Sequence, residues 1–308
     1  MFRDFHVRGP AAYYECLLAG RRIHFFADIH AGIERCPRRV KTIAFEDFLG
    51  ALFRANPETR FRVFLEIQAF HLMQEGGVRK YVDYASASND LCVVRCYKRF
   101  KHCFVGGRTG CRHANAVFCG VDVRLAGIRR KIGAVQKLVI LLKPLMEGGE
   151  PLRPDAEKKI RRIQRHLRFP TREILDFLEI PIPFSRPVRN NLRSRFELRV
   201  RACVEALGAA VMGDGSLRAD DPAVVIVWNA ALMLGGLLVD FHTVFSILAL
   251  PADEIPIVVL GFSHLQNIFE ILRRTSDLGF EVVRTTNADP PAFRCLPCGS
   301  VMEGLAGS

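Results

Sequence analysis

The chain has 308 residues, 49% of them hydrophobic, and a formal net charge of +12. That apolar content supplies a large core and excludes a disordered chain, while ten cysteines in so long a chain are too sparse for a disulfide scaffold. The charge is uneven, because residues 151 to 201 hold 14 Lys/Arg against 6 Asp/Glu, or +8 of the total.

In chain order, Tyr13 to Ala27 is a β-rich opening, and the run Ile23-His24-Phe25-Phe26-Ala27 ends in Asp28 and His30. Arg39 to Arg54 carries Val40, Ile43, Ala44, Phe48, Leu49 and Leu52 at helical spacing, which predicts a helix. A second run, Phe61 to Leu65, ends in Glu66 and Gln68. Strand, helix and strand in that order are the βαβ pattern of a parallel sheet. From Val78 to Gly120 the pattern loosens into Tyr, Ser, Asn and Gly, read as loops and small elements. The run Ala116 to Val121 then restores the rhythm and ends in Asp122 and Arg124.

Helices follow over Gly127 to Met146, Asp155 to Leu167, Arg193 to Met212 and Pro222 to Leu250, with a short element, Arg172 to Leu178, bracketed by Pro170, Pro181, Pro183 and Pro187. The turn Gly213-Asp214-Gly215-Ser216 joins the last two long helices. The longest apolar stretch, Ala223 to Val239, contains Asn229 and meets Asp240 and His242. It falls short of the roughly 20 clean residues that span a bilayer, so a buried core helix and no membrane span are expected. The final unit is strand Ile257 to Leu260, then Gly261-Phe262-Ser263-His264 opening a helix to Arg274, then strand Phe280 to Thr285. Ser263 and Gln266 fit a capping box, which places His264 in the first turn.

Short Phe-, Val- and Ile-rich runs are strands covered on both faces, as in open α/β sheets, whose ligands bind beyond the carboxyl ends of the strands. The expected fold is therefore α/β. A central, largely parallel sheet is flanked by helices in one domain, residues 1–288, with a helical insertion at about 127–250 and a tail from 289 to 308. Four runs end in polar clusters, and together they nominate one site. Asp28, His30, Glu66 and His264 form an oxygen and nitrogen set suited to Mn, Zn or Fe, or to metal-free acid/base work. Arg124 can clamp a carboxylate or phosphate, hold Glu66, or simply pair with Asp122.

These motifs, Ala27-Asp28-Ile29-His30, Glu66, Gly120-Val121-Asp122-Val123-Arg124 and Gly261-Phe262-Ser263-His264-Leu265, resemble in order those of the erythromycin esterase, ChaN, TraB and Tiki superfamily. That superfamily is marked by two Gly-x-x-His motifs, acidic residues and an arginine on an α/β fold, and it includes hydrolases, metal-dependent proteases and a haem-binding lipoprotein. The resemblance implies that His30 and His264 are the paired histidines, Glu66 a catalytic acid and Arg124 a contact to substrate or transition state. The enzyme expected is a hydrolase of an ester, amide or similar bond in a small-molecule or peptide substrate, with Glu66 activating water and His30 and His264 binding a divalent metal or relaying protons. Ala27 stands where the pattern has Gly, and Asp28 where it has Glu, one methylene shorter. The layout, including Leu238-Val239-Asp240-Phe241, is similar to uncharacterised proteins of large DNA viruses and adds Asp240 as a site candidate.

The competing reading is a catalytically silent viral protein that binds nucleic acid or a partner. Its basic segment, 153–201, includes Lys158 to Arg168 and Arg186, Arg189, Arg193, Arg195, Arg199 and Arg201. Cys92, Cys96, Cys103, Cys111 and Cys119 with His102 and His113 match no common zinc spacing and read as buried free thiols. Cys295-Leu296-Pro297-Cys298 is half a zinc pair or a labile disulfide. Met1-Phe2-Arg3-Asp4 opens no secretory leader, so a reducing, intracellular compartment is expected: host cytoplasm or a virion if the protein is viral. P-loop, zincin and nucleophile-elbow motifs do not occur.

Overall fold

In the computed structural model the apolar runs form the centre of an α/β fold. It describes residues 4–28, 36, 40–68, 92–104, 111–124, 131–167, 185–210, 212–213, 216–287 and 295–306. The chain divides into two compact units, Met1–Val121 with Leu250–Ser308, and Asp122–Ala249.

The first unit holds strands β1 (Phe5–Arg8), β2 (Ala12–Leu18), β3 (Arg21–Asp28), β4 (Lys41–Ala44), β5 (Arg60–Gln68), β6 (Ala116–Asp122), β7 (Glu254–Gly261), β8 (Glu281–Asn287) and β9 (Cys295–Pro297). Six of these form one sheet in the order β6-β5-β7-β3-β2-β8. β3 and β5 both pair parallel with β7, while β2 pairs antiparallel with β3 and β8. β2 and β3 meet in a tight hairpin at Ala19-Gly20, both at positive φ (51° and 77°). That geometry matches the twist of the flanking strands and suits Gly20 far better than Ala19.

Ile257, Val258, Val259 and Leu260 of β7 are each 0% exposed, so this central strand is covered on both faces. Helices α1 (Phe45–Ala55) and α2 (Cys92–Phe100) pack one face through Phe45, Phe48 and Cys92 against Phe26, Val63, Leu65 and Val259. On the other face, helix α7 (Phe262–Arg273) brings Phe269 edge-on to Phe25 and Tyr14.

A smaller sheet of order β4-β1-β9 went unread in the sequence. The helix expected over Arg39 to Arg54 begins at Phe45; Lys41–Ala44 instead pair parallel with Phe5–Arg8. A backbone partner outweighs a weak local preference over so few residues, and Thr42 and Ile43 are β-branched. Within Val78 to Gly120, read as loops and small elements, Cys92–Phe100 is a nine-residue helix with Cys92, Val93, Cys96 and Phe100 on its buried side.

The second unit contains α3 (Lys131–Gly148), α4 (Pro154–Leu167), α5 (Arg186–Ala209) and α6 (Pro222–Leu248). Each packs on two others, α3 on α4 and α6, α5 on α4 and α6, so the four close a bundle. The Gln164 side chain ties α4 to α5 by donating to Leu207 O at 3.0 Å and to Ala210 O. α5 starts seven residues before the expected Arg193 because Pro187, read as a boundary, occupies its first turn, where proline's fixed φ suits a helix. α6 is long and apolar enough to cross a membrane by length and composition, yet most of its side chains are buried within this unit, as in a core helix. The short element expected at Arg172 to Leu178 lies outside the described residues.

Candidate functional site at the β7 carboxyl end

β7 ends at Gly261 and α7 begins at Phe262, with Gly261 itself as the N-cap and no side-chain cap. The expected Ser263 box is not made. Ser263 is already helical, because the strand runs straight into the helix with no turn between them. His264 does fall in the first turn, and its Nε2 lies 3.4 Å from Glu66 Oε1. The other carboxylate oxygen, Oε2, accepts the Gly261 backbone N–H at 2.7 Å. Glu66 is thus fixed by the neighbouring strand while it faces the imidazole. The two side chains are only 8% and 12% exposed, a setting that strengthens their attraction.

Asp28 ends β3 in register with Gly261 and is 1% exposed. Strand alternation sends it to the α1/α2 face, because Phe26, two residues earlier, packs on Phe45. Burial and a hydrogen bond with Cys96 push the Cys92 thiol well above its usual pKa, and the Asp28 carboxylate adds to that rise from the same face. Glu66 has the opposite parity: Val63, Leu65 and Ile67 face the α1/α2 core, so Glu66 projects to the α7 side. The two carboxylates therefore flank one glycine from opposite faces of the sheet.

Asp122 and Arg124 fall in the second unit and form a closed pair. Arg124 Nε and Nη2 donate to the two Asp122 oxygens at 2.8 Å each, and the Arg124 backbone N–H adds a third bond at 3.0 Å. A Cβ on Gly235 would lie 3.5 Å from Arg124 Cδ, so that glycine admits the arginine stem. Asp240 and His242 are buried in α6, at 0% and 2% exposure. His30 lies outside the described residues.

Compared with family models, curated proteins and solved structures, the chain matches none.

Of the metal set expected from the sequence, Asp28, Glu66 and His264 are described and His30 is not. Among the described residues no three His, Cys, Asp or Glu side chains gather as they must to hold an ion, and Asp28 and Glu66 project from opposite faces. Of the cysteines read as free thiols, Cys92, Cys96 and Cys119 are free and buried, but Cys103 and Cys111 are bonded to each other. Cys295 is bonded to Cys36, 259 residues away, and Cys298 is a buried thiol raised to about 11 by burial. The spacing rules weigh nearby cysteines only, so they missed the Cys36 partner.

Two polar arrangements, one buried and one half-buried, also escaped the sequence reading. The Tyr13 hydroxyl and His24 Nδ1 sit 2.9 Å apart in the core, where burial first and Arg22 second depress the His24 pKa to about 3. Arg62 forks onto Glu254 at 2.7 and 2.8 Å, clamping β5 to β7. His24 sits inside an apolar run in the sequence, which was itself the available signal.

Proposed function

We propose that the chain is a hydrolase of the esterase and Tiki-like class, with its reacting centre at the carboxyl end of β7. The supporting observation is the nearly buried Glu66–His264 pair, anchored through Gly261 N–H. His264 moves a proton between water and the scissile group. Glu66 fixes the tautomer and orientation of the ring and stabilises the imidazolium that forms. The uncapped start of α7 adds a partial positive charge beside the imidazole, suited to an oxyanion. Elemental analysis of wild-type and His30→Ala protein tests separately whether a divalent metal is held.

The test is hydrolysis of a panel of small esters and peptide amides by wild type, His264→Ala and Glu66→Gln. Loss of about 10²- to 10⁴-fold in kcat, with KM changed far less, supports the reading. Turnover that survives His264→Ala, or no turnover of any ester or amide, sinks it.

A second reading, a virus-encoded nucleic-acid-binding protein without catalysis, draws on the exposed basic residues of the bundle. Lys158, Lys159 and Arg162 of α4 and Arg186, Arg189 and Arg193 of α5 are exposed. Arg201 is exposed as well and pairs with Glu197 of its own helix, while Arg195, bonded to Asn191, and Arg199 are half-buried.

A further inference from the structure

At the opposite end of the sheet, where the starts of β5 and β6 meet through Phe61 N–H and Asn115 O at 2.8 Å, the first unit carries a cavity of about 540 Å³. Its wall gathers Arg54, Arg99, Arg112, His102 and His113, with Phe100 behind them and, among the described residues, no acidic residue. We propose that this cavity is a binding site for a compact, multiply charged oxyanion of the phosphate-ester class, separate from the Glu66–His264 centre.

Four observations carry it. The volume lies within the roughly 300–1,000 Å³ of small-molecule sites. The groups converge: a Cβ added to Gly50 would sit 3.5 Å from Arg54 Nη1, 3.8 Å from His113 Nε2 and 3.9 Å from the tip of the Phe100 ring. The positive charge is also poorly balanced within the protein. Arg99 meets Asp47 at 3.5 Å in an exposed pair, and among the described residues no acidic side chain pairs with Arg54 or Arg112. The three arginines together push the His113 pKa down, after the effect of burial, so their fields overlap at its ring.

The wall is also held in shape. Cys103 and Cys111 are bonded, and the His113 ring packs on Phe53 and Phe100 with centroids 5.5 and 5.8 Å away. Guanidinium forks match the oxygens of a phosphate, and Arg54, Arg99 and Arg112 are exposed, so a ligand reaches them from solvent. The arginines of two helix C-termini alone would be ordinary, since cations belong there. Arg112 and both histidines come from other segments, and they close the ring.

The test is calorimetric titration of the full chain with pyrophosphate at physiological salt, with succinate as a carboxylate comparator. Saturable one-to-one binding of pyrophosphate, at least tenfold tighter than succinate, is expected. Arg54→Gln/Arg112→Gln should weaken it at least tenfold and Arg112→Gln alone by less, while Arg218→Gln/Arg274→Gln, at exposed arginines paired with Asp220 and Glu270, leaves it unchanged. Absence of saturable binding, succinate bound as tightly, or equal loss in both double variants, which would mark a response to net charge, each overturns the proposal. Ester or amide hydrolysis by the Glu66–His264 centre is read independently and does not enter these outcomes.

Discussion

Acidification should unfold this protein through His24. The folded chain holds that imidazole neutral, with its pKa lowered from 6.5 to about 3 by burial and by the Arg22 guanidinium, and with Nδ1 hydrogen-bonded to the Tyr13 hydroxyl. The cross-strand neighbour Glu15, which could favour a charged ring, is occupied by Arg22 and Arg284. The unfolded chain takes up a proton as pH falls below about 6.5, and the folded chain does not until about 3. Between those values the unfolded state binds more protons, so stability falls with pH by about 1.4 kcal/mol per unit. Above the window His24 contributes no pH dependence. The loss reaches roughly 2 kcal/mol at about pH 5, or several degrees in Tm. Urea unfolding followed by circular dichroism, at about pH 7.5 and 5, measures it in wild type and His24→Gln. The variant, which cannot titrate there, should gain on wild type by roughly 2 kcal/mol across that interval, whatever its starting stability. A difference between the two proteins that stays constant with pH would falsify the assignment of the acid sensitivity to His24.

Three further outcomes are expected. Thiol titration of the denatured, unreduced protein should find six reactive cysteines of ten, and Cys36→Ser/Cys295→Ser should lower stability more than Cys103→Ser/Cys111→Ser. Chain-entropy reasoning gives about 5.5 kcal/mol for the long loop against about 2.5 for the short one, and ten reactive thiols would overturn both expectations. Glu66→Ala should cost about 1–3 kcal/mol in urea unfolding, because it strands the Gly261 N–H, while Glu66→Gln, which keeps an acceptor, should cost less; equal losses would argue against that bond. If the bundle binds nucleic acid, Arg186→Gln/Arg189→Gln should flatten the slope of log K against log salt by about 1.4 to 1.8, as two lost phosphate contacts require; an unchanged slope excludes those residues from the contact.

The sheet and bundle were legible because both rest on long, periodic or unbroken apolar patterns. Phe61 to Leu65, Ala116 to Val121 and Ile257 to Leu260 all lie in strands, and Pro222 opens the long core helix behind Asp221, whose carboxylate accepts the Ala223 N–H at 2.8 Å. What stayed hidden was set by partners distant in sequence. Lys41–Ala44 became strand through Phe5–Arg8, and Cys36 found Cys295. Arg54, Arg99 and Arg112 belong to three unrelated segments, none with a motif of its own.

The candidate site shows the same limit in a sharper form. In a half-exposed sheet, alternation in the sequence tells which residues share a face; in a strand covered on both sides every position is apolar and that signal vanishes. Phe25 and Phe26 are both 0% exposed, as are Val258 and Val259, so nothing in the runs themselves tells which way the terminal Asp28 or Glu66 turns. The register decides it: Asp28 stands beside Gly261, and Glu66 follows Leu65, which stands beside Val259. Two carboxylates at the ends of the strands on either side of β7 look like one cluster in the sequence, yet they are divided by the sheet. Glu66 goes to His264 and the helix start, where proton transfer has its parts, and Asp28 goes to the Cys92 side of the core. Asp28→Asn should consequently leave the KM and kcat of the proposed hydrolase within a few-fold of wild type while altering stability, and a loss of kcat as deep as that of His264→Ala would return Asp28 to the reacting centre.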